Sequence, residues 1–334
     1  MTEARRVFIS SKRDDVWHRL EGDAYERWSF NAISDDGREV VCVSFYDHCP
    51  MSPRYYSADM RRVPAVELVY SVGGDLVARA MCEYADGAFS ESEEGCALEK
   101  NRFYSESANY GTGYIIELDL PMPGGSRVTA KLEWLAIEED KLDREFASED
   151  VLNIVTPRAD VSGRITIEGR RPQVFHIRGT GCHAHEVIRG GAMTEFTQFS
   201  GCVHFSDATA FFLTSHNSSM LLVQGDDVRE IELSLESVRW QRNRYGMKYP
   251  REVSFSSEQG IRMSVRPTAT VASVVASVRS RAEFELTLFD GKPRRANGIT
   301  FFASPRRMRH SIFRYFSGLG IVVAPRGIEP LFQE

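Results

Sequence analysis

The chain has 334 residues, of which 42% are hydrophobic and 26% are charged, as is ordinary for a globular protein. Its formal net charge of −6 argues against a general nucleic-acid binder, because such proteins carry a basic excess. The length predicts two domains, since single cores rarely grow beyond about 250–300 residues.

Composition also sets expectations for location and redox state. No apolar run is long enough for a signal peptide or for the ~18 residues of a membrane span. We therefore expect a cytoplasmic protein without an integral membrane segment. The six cysteines are scattered and include no C-x-x-C pair. They are predicted to be reduced thiols, and a disulfide framework is the alternative.

In chain order, the first segment is a charged extension, residues 1–22, in which residues 14–20 are predicted to make a helical turn. From residue 23 onward, short segments alternate apolar and polar side chains between turn residues, which indicates β-structure. A run of acidic residues at 138–150 is interpreted as a domain boundary. The predicted domains are residues 23–150 and 151–326, followed by a tail, 327–334.

The predicted strands recur with turn signals between them, a pattern typical of all-β sandwiches and barrels. Only residues 305–316 carry a helical pattern. We therefore predict an all-β fold with few short helices. The predicted strands are residues 28–33, 38–45, 65–72, 76–84, 103–107, 113–120, 127–137, 163–169, 173–178, 202–205, 209–214, 220–224, 229–240, 252–256, 261–265, 270–278, 282–289 and 298–303.

Residues 178–191, Arg-Gly-Thr-Gly-Cys-His-Ala-His-Glu-Val-Ile-Arg-Gly-Gly, concentrate the chemically reactive side chains of the chain. If the middle of this stretch is a strand, His183 and His185 share one face and lie about 7 Å apart, while Cys182 and Glu186 share the other. Two imidazoles at that distance can act as acid and base near neutral pH. The alternative is that they are structural hydrogen-bonding groups.

Several motifs resemble the carotenoid 1,2-hydratase (hydroxyneurosporene synthase) and AttH-like family. They are the aromatic strand and Asp-Asp-Gly hairpin of residues 23–38, the apolar strand 40–45, and Ser52-Pro-Arg-Tyr55. Two more are Pro-Arg-Ala-Asp-Val-Ser-Gly at 157–163 and the Gly-x-Gly stretch at 179–186. The resemblance implies two lipocalin-like (calycin) β domains with an apolar pocket. Members hydrate, cyclise or rearrange polyene substrates without a redox cofactor, and some fungal relatives are regarded as Diels–Alderases.

At the positions that are catalytic in the hydratases of this family, the sequence has other residues. The proton-donating Asp of the hydratases follows the motif Tyr by two residues, and those places hold Ala184 and Cys182. The hydratase His and Trp fall on Asp150 and Leu152. Hydration of a carotenoid is therefore not expected, and His183 and His185 become the candidate catalytic residues. Glu186 is a candidate carboxylate partner, with a solvent-facing charge as the alternative.

No metal or other cofactor is expected, although His-x-His occurs in metalloproteins. A cupin-type site would want a Glu four or five residues after His185, where Arg189 and Gly190 stand. Glu195 and His204 are the remaining candidate ligands, and their spacings do not justify a metal site. Cys182 could be a nucleophile, but it is interpreted as a packed small residue.

Aromatic rings on predicted strands are the expected lining of an apolar substrate pocket, where they could also stabilise a developing positive charge. Arg158 could polarise a substrate carbonyl. The candidate substrate-binding residues are Trp28, Phe30, Phe45, Tyr55, Arg158, Cys182, Phe196 and Trp240.

The preferred hypothesis is a cofactor-independent cyclase or isomerase of a small terpenoid, polyene or polyketide-like metabolite. A Diels–Alderase-like pericyclase is the first alternative, and a non-catalytic protein that binds a hydrophobic ligand is the second. No nucleic-acid partner is expected, and the sequence does not indicate an oligomeric state.

Overall fold

The structure is a computed structural model. It describes residues 6–9, 15–56, 61–92, 95–108, 111–137, 150–169, 171–189, 197–214, 218–225 and 227–323. The acidic run, apart from residue 150, and Phe196 lie outside the described residues.

The first half of the chain folds into a large curled sheet. Among the described residues it has thirteen strands, in the order β21-β5-β4-β3-β2-β12-β11-β10-β9-β8-β7-β6, with β1 parallel to β11. Its strands are β1 (Arg6–Ile9), β2 (Tyr25–Ser34), β3 (Glu39–Tyr46), β4 (Ala65–Val72), β5 (Asp75–Glu83), β6 (Phe89–Ser92), β7 (Gly95–Leu98), β8 (Asn101–Ala108), β9 (Gly111–Pro121), β10 (Arg127–Ala136), β11 (Asp150–Glu168), β12 (Gln173–Ile188) and, from the C-terminal end, β21 (Val322–Val323).

The second half forms a closed eight-stranded antiparallel barrel in simple chain order. Its strands are β13 (Gln198–His204), β14 (Thr209–Thr214), β15 (Ser218–Gln224), β16 (Asp227–Arg242), β17 (Lys248–Ser256), β18 (Arg262–Ser273), β19 (Ser277–Thr287) and β20 (Pro293–Ala303). The predicted all-β, lipocalin-like fold class is therefore confirmed.

Two central strands are much longer than predicted. The sequence predicts strands at 163–169 and 173–178, of which the first begins at Gly163 and the second ends before Gly179. In the structure β11 and β12 run straight through these positions and pair with each other along most of their length. A Cβ at Gly163 would lie 2.8 Å from the Cα of Leu132, so glycine here allows neighbouring strands to approach closely rather than ending them.

Each half encloses its own hydrophobic core, and a third apolar layer joins them. The outer face of the curled sheet contributes Leu152, Ile154 and Cys182, which pack against Phe211 and Leu221 of the barrel. We call this layer between sheet and barrel the seam. The curled sheet continues past the boundary predicted at residue 150 as far as Ile188, and the division of the chain into domains remains a prediction.

The helical segment near the C-terminus is shorter than predicted. A 3-10 turn spans Pro305–Arg309, and the helix α1 spans Ser311–Gly318, with His310 extended between them. None of the helices in the described ranges is long and apolar enough to cross a membrane.

Candidate functional site

His183 and His185 lie on the same face of β12, directed into the core of the curled sheet, as strand alternation predicts. Both are fully buried. The strand β2 places an aromatic ring opposite each one, since His183 pairs with Phe30 and His185 with Trp28. The ring centroids of Phe30 and His183 are 3.9 Å apart and those of Trp28 and His185 are 4.4 Å apart, with both pairs stacked.

An N-terminal segment, residues 15–20, covers the histidine pair. The Oδ2 atom of Asp15 lies 3.0 Å from Nε2 of His183, and its Oδ1 atom lies 3.7 Å from Nδ1 of His185. The hydroxyl of Tyr114 donates to Asp15 Oδ2 at 2.8 Å. One buried carboxylate therefore bridges both histidines.

A second carboxylate continues the network toward solvent. Glu26, on β2 and fully buried, holds its Oε2 atom 2.9 Å from Nε2 of His185 and 2.9 Å from Nδ1 of His18. The His18 side chain is 27% exposed. The order His183, Asp15, His185, Glu26, His18 therefore forms an alternating histidine–carboxylate chain from the core to the surface.

The N-terminal segment is fixed by contacts on both of its sides. Trp17 donates from Nε1 to Asp47 at 3.1 Å and packs against Phe89. Arg62 donates to the carbonyl of Leu20 at 2.7 Å and pairs with Asp47 at 2.6 Å. The predicted helical turn is wrong for the described residues 15–20, because the backbone of this segment is irregular, with a bend at residue 16 and a φ of 52° at Arg19.

The charged groups of the histidine–carboxylate chain stabilise one another. Burial by itself raises the pKa of Asp15, but the charge of His183 and its hydrogen bond outweigh burial and hold that pKa below 3.8. Burial also raises the pKa of Glu26, but hydrogen bonds from His18 and His185 outweigh burial and lower that pKa. His183 also donates from Nδ1 to the carbonyl of Ser29 at 3.2 Å, so both of its ring nitrogens face acceptors.

Such an arrangement can move protons. Each histidine lies within hydrogen-bond distance of a carboxylate, and the exposed His18 connects the buried members to water. The distance of 3.7 Å between Asp15 and His185 is longer than a hydrogen bond, so the hydrogen-bonded path to the surface begins at His185. A proton that His185 gives to a reacting molecule can be replaced through Glu26 and His18 without bulk water entering the core.

Asp15→Asn is expected to lower the free energy of unfolding by about 1.5–3 kcal/mol at pH 7, because a charged hydrogen bond in the core is lost. The folded-state pKa of Asp15 is lowered, so its stabilisation is complete above pH 3.8 and disappears as the pH falls through the folded value. The urea unfolding curves of variant and parent should converge in acid. Asp75→Asn, a substitution at an exposed position, should change neither the free energy of unfolding nor its dependence on pH. A constant difference from pH 7 to pH 2 would contradict this.

Glu186 lies on the opposite face of β12 from the histidines. It is buried in the seam, with Oε2 3.0 Å from Arg27 Nη2 and Oε1 accepting from Gln198 at 3.2 Å. The alternative of a solvent-facing charge is therefore wrong, because Arg27 neutralises the carboxylate away from water. The carboxylate partners of the histidines are Asp15 and Glu26 instead.

The predicted substrate-binding aromatics are dispersed. Trp28 and Phe30 stack on the histidines, while Phe45 is buried and meets Phe103 edge-on at 5.0 Å. Tyr55 lies in the 3-10 turn Pro53–Tyr56, where its hydroxyl donates to the carbonyl of Asp23. Trp240 is 51% exposed on the barrel strand β16. Of the predicted aromatics that the structure describes, Trp28 and Phe30 thus adjoin the candidate site.

Arg158 and Cys182 belong to the seam side of the structure. Arg158 donates to the carbonyl of Phe205 at 3.1 Å, and burial together with its charge lowers the pKa of His204 to about 3. Cys182 lines a seam cavity of about 80 Å³. The other lining residues of this cavity include Arg27, Cys202, Phe211, Arg279 and Phe301.

Sequence reasoning missed four members of the site: Asp15, His18, Glu26 and Tyr114. For Glu26 a signal was present, because residues 26, 28 and 30 alternate onto one face of β2. Glu26 lies two residues before Trp28 and four before Phe30, so it could have been recognised as inward-facing. Asp15 and His18 had no such signal, since they stand in an irregular segment.

The comparison with protein-family models gives no match, and the comparison with curated proteins gives no significant match. Solved structures do share the fold. The chain is similar to an AttH-like protein from Nitrosomonas europaea, with a TM-score of 0.64 and 14% identity over 88% of this chain and 95% of that one.

Two structures of CghA are also similar. One has a TM-score of 0.60 and 11% identity over 90% of this chain and 93% of that chain. The other, CghA with Sch210972, has a TM-score of 0.56 and 11% identity over 84% and 88% of the two chains. At these identities the likeness shows the fold alone, and membership of the hydratase and AttH-like family remains a prediction from the sequence motifs.

Proposed function

We propose that the protein is a proton-transfer enzyme, a cyclase or isomerase that acts on a small apolar metabolite in the curled sheet. The observation that supports this most is the histidine–carboxylate chain, in which hydrogen bonds through Glu26 link the core imidazole of His185 to the exposed His18, and Asp15 lies between His185 and His183. A purely structural pair of histidines needs hydrogen-bond partners but no connection to solvent. A reaction that moves protons needs both hydrogen-bond partners and a connection to solvent.

His185 and His183 are proposed as the groups that exchange protons with the substrate, with Asp15 and Glu26 holding them in orientation. The stacked rings of Trp28 and Phe30 border the histidines on one side and favour an apolar substrate. The N-terminal segment covers the same histidines, so substrate reaches them only when this segment moves. Small molecules such as terpenoids, polyenes or polyketide-like chains fit the chemistry of these walls.

The test is solvent-isotope incorporation. Apolar polyene, terpenoid and polyketide-like compounds are incubated with the protein in deuterium oxide and analysed by mass spectrometry. We expect a compound that is rearranged and that gains deuterium at carbon, since the transferred proton exchanges with solvent through His18. A compound that is rearranged without any deuterium would contradict proton exchange with solvent through His18, because no solvent proton would have reached the product.

A pericyclase is the first alternative, and it would give that deuterium-free product, because a cycloaddition transfers no proton to or from the protein. Its catalysis would come from positioning of the reacting ends. The histidine–carboxylate chain favours proton transfer over this alternative, since a cycloaddition has no use for a proton path to the surface.

A non-catalytic binding protein is the second alternative, and the full burial and stacking of both histidines favours it. In that case a ligand copurifies with the protein and is recovered unchanged after prolonged incubation. A ligand recovered in altered form would exclude it.

A further inference from the structure

A second cluster of reactive side chains lies in the seam, on the opposite face of β12 from the histidine pair. It consists of Cys182 on β12 together with Cys202 and His204 on β13. One ligand atom from each residue lies within 4.8 Å of the other two, and Cys202 Sγ is 3.6 Å from His204 Nε2. Two thiols and an imidazole are thus brought together from two strands that do not pair with each other.

We propose that Cys182, Cys202 and His204 bind a single zinc ion that joins the curled sheet to the barrel. Thiolate and imidazole are the ligands that Zn²⁺ takes in proteins, with bonds of about 2.3 Å to sulfur and about 2.0–2.1 Å to nitrogen. Tetrahedral geometry with those bonds places a sulfur and a nitrogen about 3.6 Å apart. Cys202 and His204 have that separation.

The orientation of His204 supports the same assignment. Its Nδ1 atom lies 3.2 Å from the hydroxyl of Thr209, so Nε2 is the nitrogen directed toward the two cysteines. Metal-binding histidines characteristically hold their second nitrogen in a hydrogen bond of this kind, which fixes the ring and the tautomer. Thr209 is fully buried and His204 is half-buried.

The site has three protein ligands and room for one more. Within the part of the chain that the structure describes, the group contains no fourth His, Cys, Asp or Glu. Cys182 and Cys202 both line the seam cavity, whose volume of about 80 Å³ exceeds the ~30 Å³ share of one water molecule. Three protein ligands beside an open position are the arrangement of zinc sites that bind an exchangeable water or small ligand.

The sequence does not predict this site, because Cys182 and Cys202 are 20 positions apart and fit no short metal-binding motif. The alternative use of the same cysteines is a disulfide between them. A zinc ion and a disulfide would each link the sheet to the barrel, but only the zinc ion requires His204.

The test uses the full chain, purified under reducing conditions and freed of metal with a chelator. After titration with Zn²⁺, native mass spectrometry should show one zinc per chain. Cys202→Ser and His204→Gln should each lose it. Cys96→Ser, a buried cysteine of the curled sheet outside the cluster, should retain it. Because a seam variant could fail to fold, Co²⁺ is added to the unaltered protein, where thiolate coordination gives a strong charge-transfer absorption.

Three outcomes would overturn the proposal: no zinc bound and no cobalt charge-transfer band in the unaltered reduced chain, zinc retained by a folded His204→Gln variant, or a disulfide between Cys182 and Cys202 that persists under the same reducing conditions. The result is independent of the proposed proton transfer, because the histidine pair lies on the other face of β12 and shares no ligand with this cluster.

Discussion

His185→Gln is expected to reduce turnover of the substrate identified by deuterium incorporation by about 10²–10⁴-fold, the contribution typical of a positioned general acid or base. The glutamine amide can still donate to Glu26, which is 2.9 Å from the imidazole, but it cannot carry a proton between Glu26 and the substrate. His183→Gln should have a comparable effect. Initial rates with each variant, at substrate concentrations well below saturation, measure the loss.

The matched control for this prediction is His176→Gln. His176 lies on the same strand, β12, but its side chain is exposed, so its substitution should leave the rate unchanged. Circular dichroism of all three variants establishes that the fold is retained. Unaltered rates in both buried-histidine variants would refute proton transfer by this pair. A loss that is larger for Trp28→Ala than for either histidine would indicate a pericyclase that acts by shaping its substrate.

Glu67→Gln is expected to lower the free energy of unfolding by about 3–5 kcal/mol, because it leaves the buried Arg279 without its countercharge. Glu67, on β4, has its oxygens 3.1 Å from Arg79 and 3.0 Å from Arg279. The Arg279 side chain is 7% exposed and that of Glu67 is 11% exposed. Burial by itself raises the pKa of Glu67, but the two arginines outweigh it and lower that pKa, so the carboxylate is ionised in the folded protein.

Urea unfolding at pH 7 measures the effect, and two further variants define its origin. Glu283→Gln breaks the exposed pair with Arg266 on the barrel and should cost less than about 1 kcal/mol, since surface ion pairs contribute little. The double substitution Glu67→Leu with Arg279→Leu removes both buried charges and should recover part of the stability. A cost below about 1 kcal/mol for Glu67→Gln would show that water, and not Glu67, compensates Arg279.

The ion pair also explains a property of the seam that the sequence could not indicate. Arg279 belongs to β19 of the barrel and Glu67 to β4 of the sheet, and Arg279 also donates to Ser44 of β3 at 3.1 Å. Alternation places Glu67 on a defined face of its strand, but a carboxylate on a β-strand normally faces water. It is buried here because the barrel packs over it and supplies the opposite charge.

Strand periodicity by itself determined much of this protein. Side chains alternate with a period of two along any strand, so the sequence predicted the all-β class, most of the strands, and the shared face of His183 and His185. The short strands β1, β6, β7 and β21 were not predicted. It also separated Cys182 and Glu186 onto the other face. These properties are local, since they depend only on residues that are neighbours in the chain.

The tertiary structure decided which groups meet across these faces. Asp15 contacts His183 across 168 residues of sequence, and Cys182 meets Cys202 only because the barrel folds back onto the sheet. The predicted strands begin at Gly163 and end before Gly179, whereas in the structure these glycines lie within longer strands and permit close strand pairing. Such contacts depend on how two halves and an irregular N-terminal segment bury apolar surface and compensate charge together. No local pattern encodes that outcome, because the competing arrangements differ only in long-range packing.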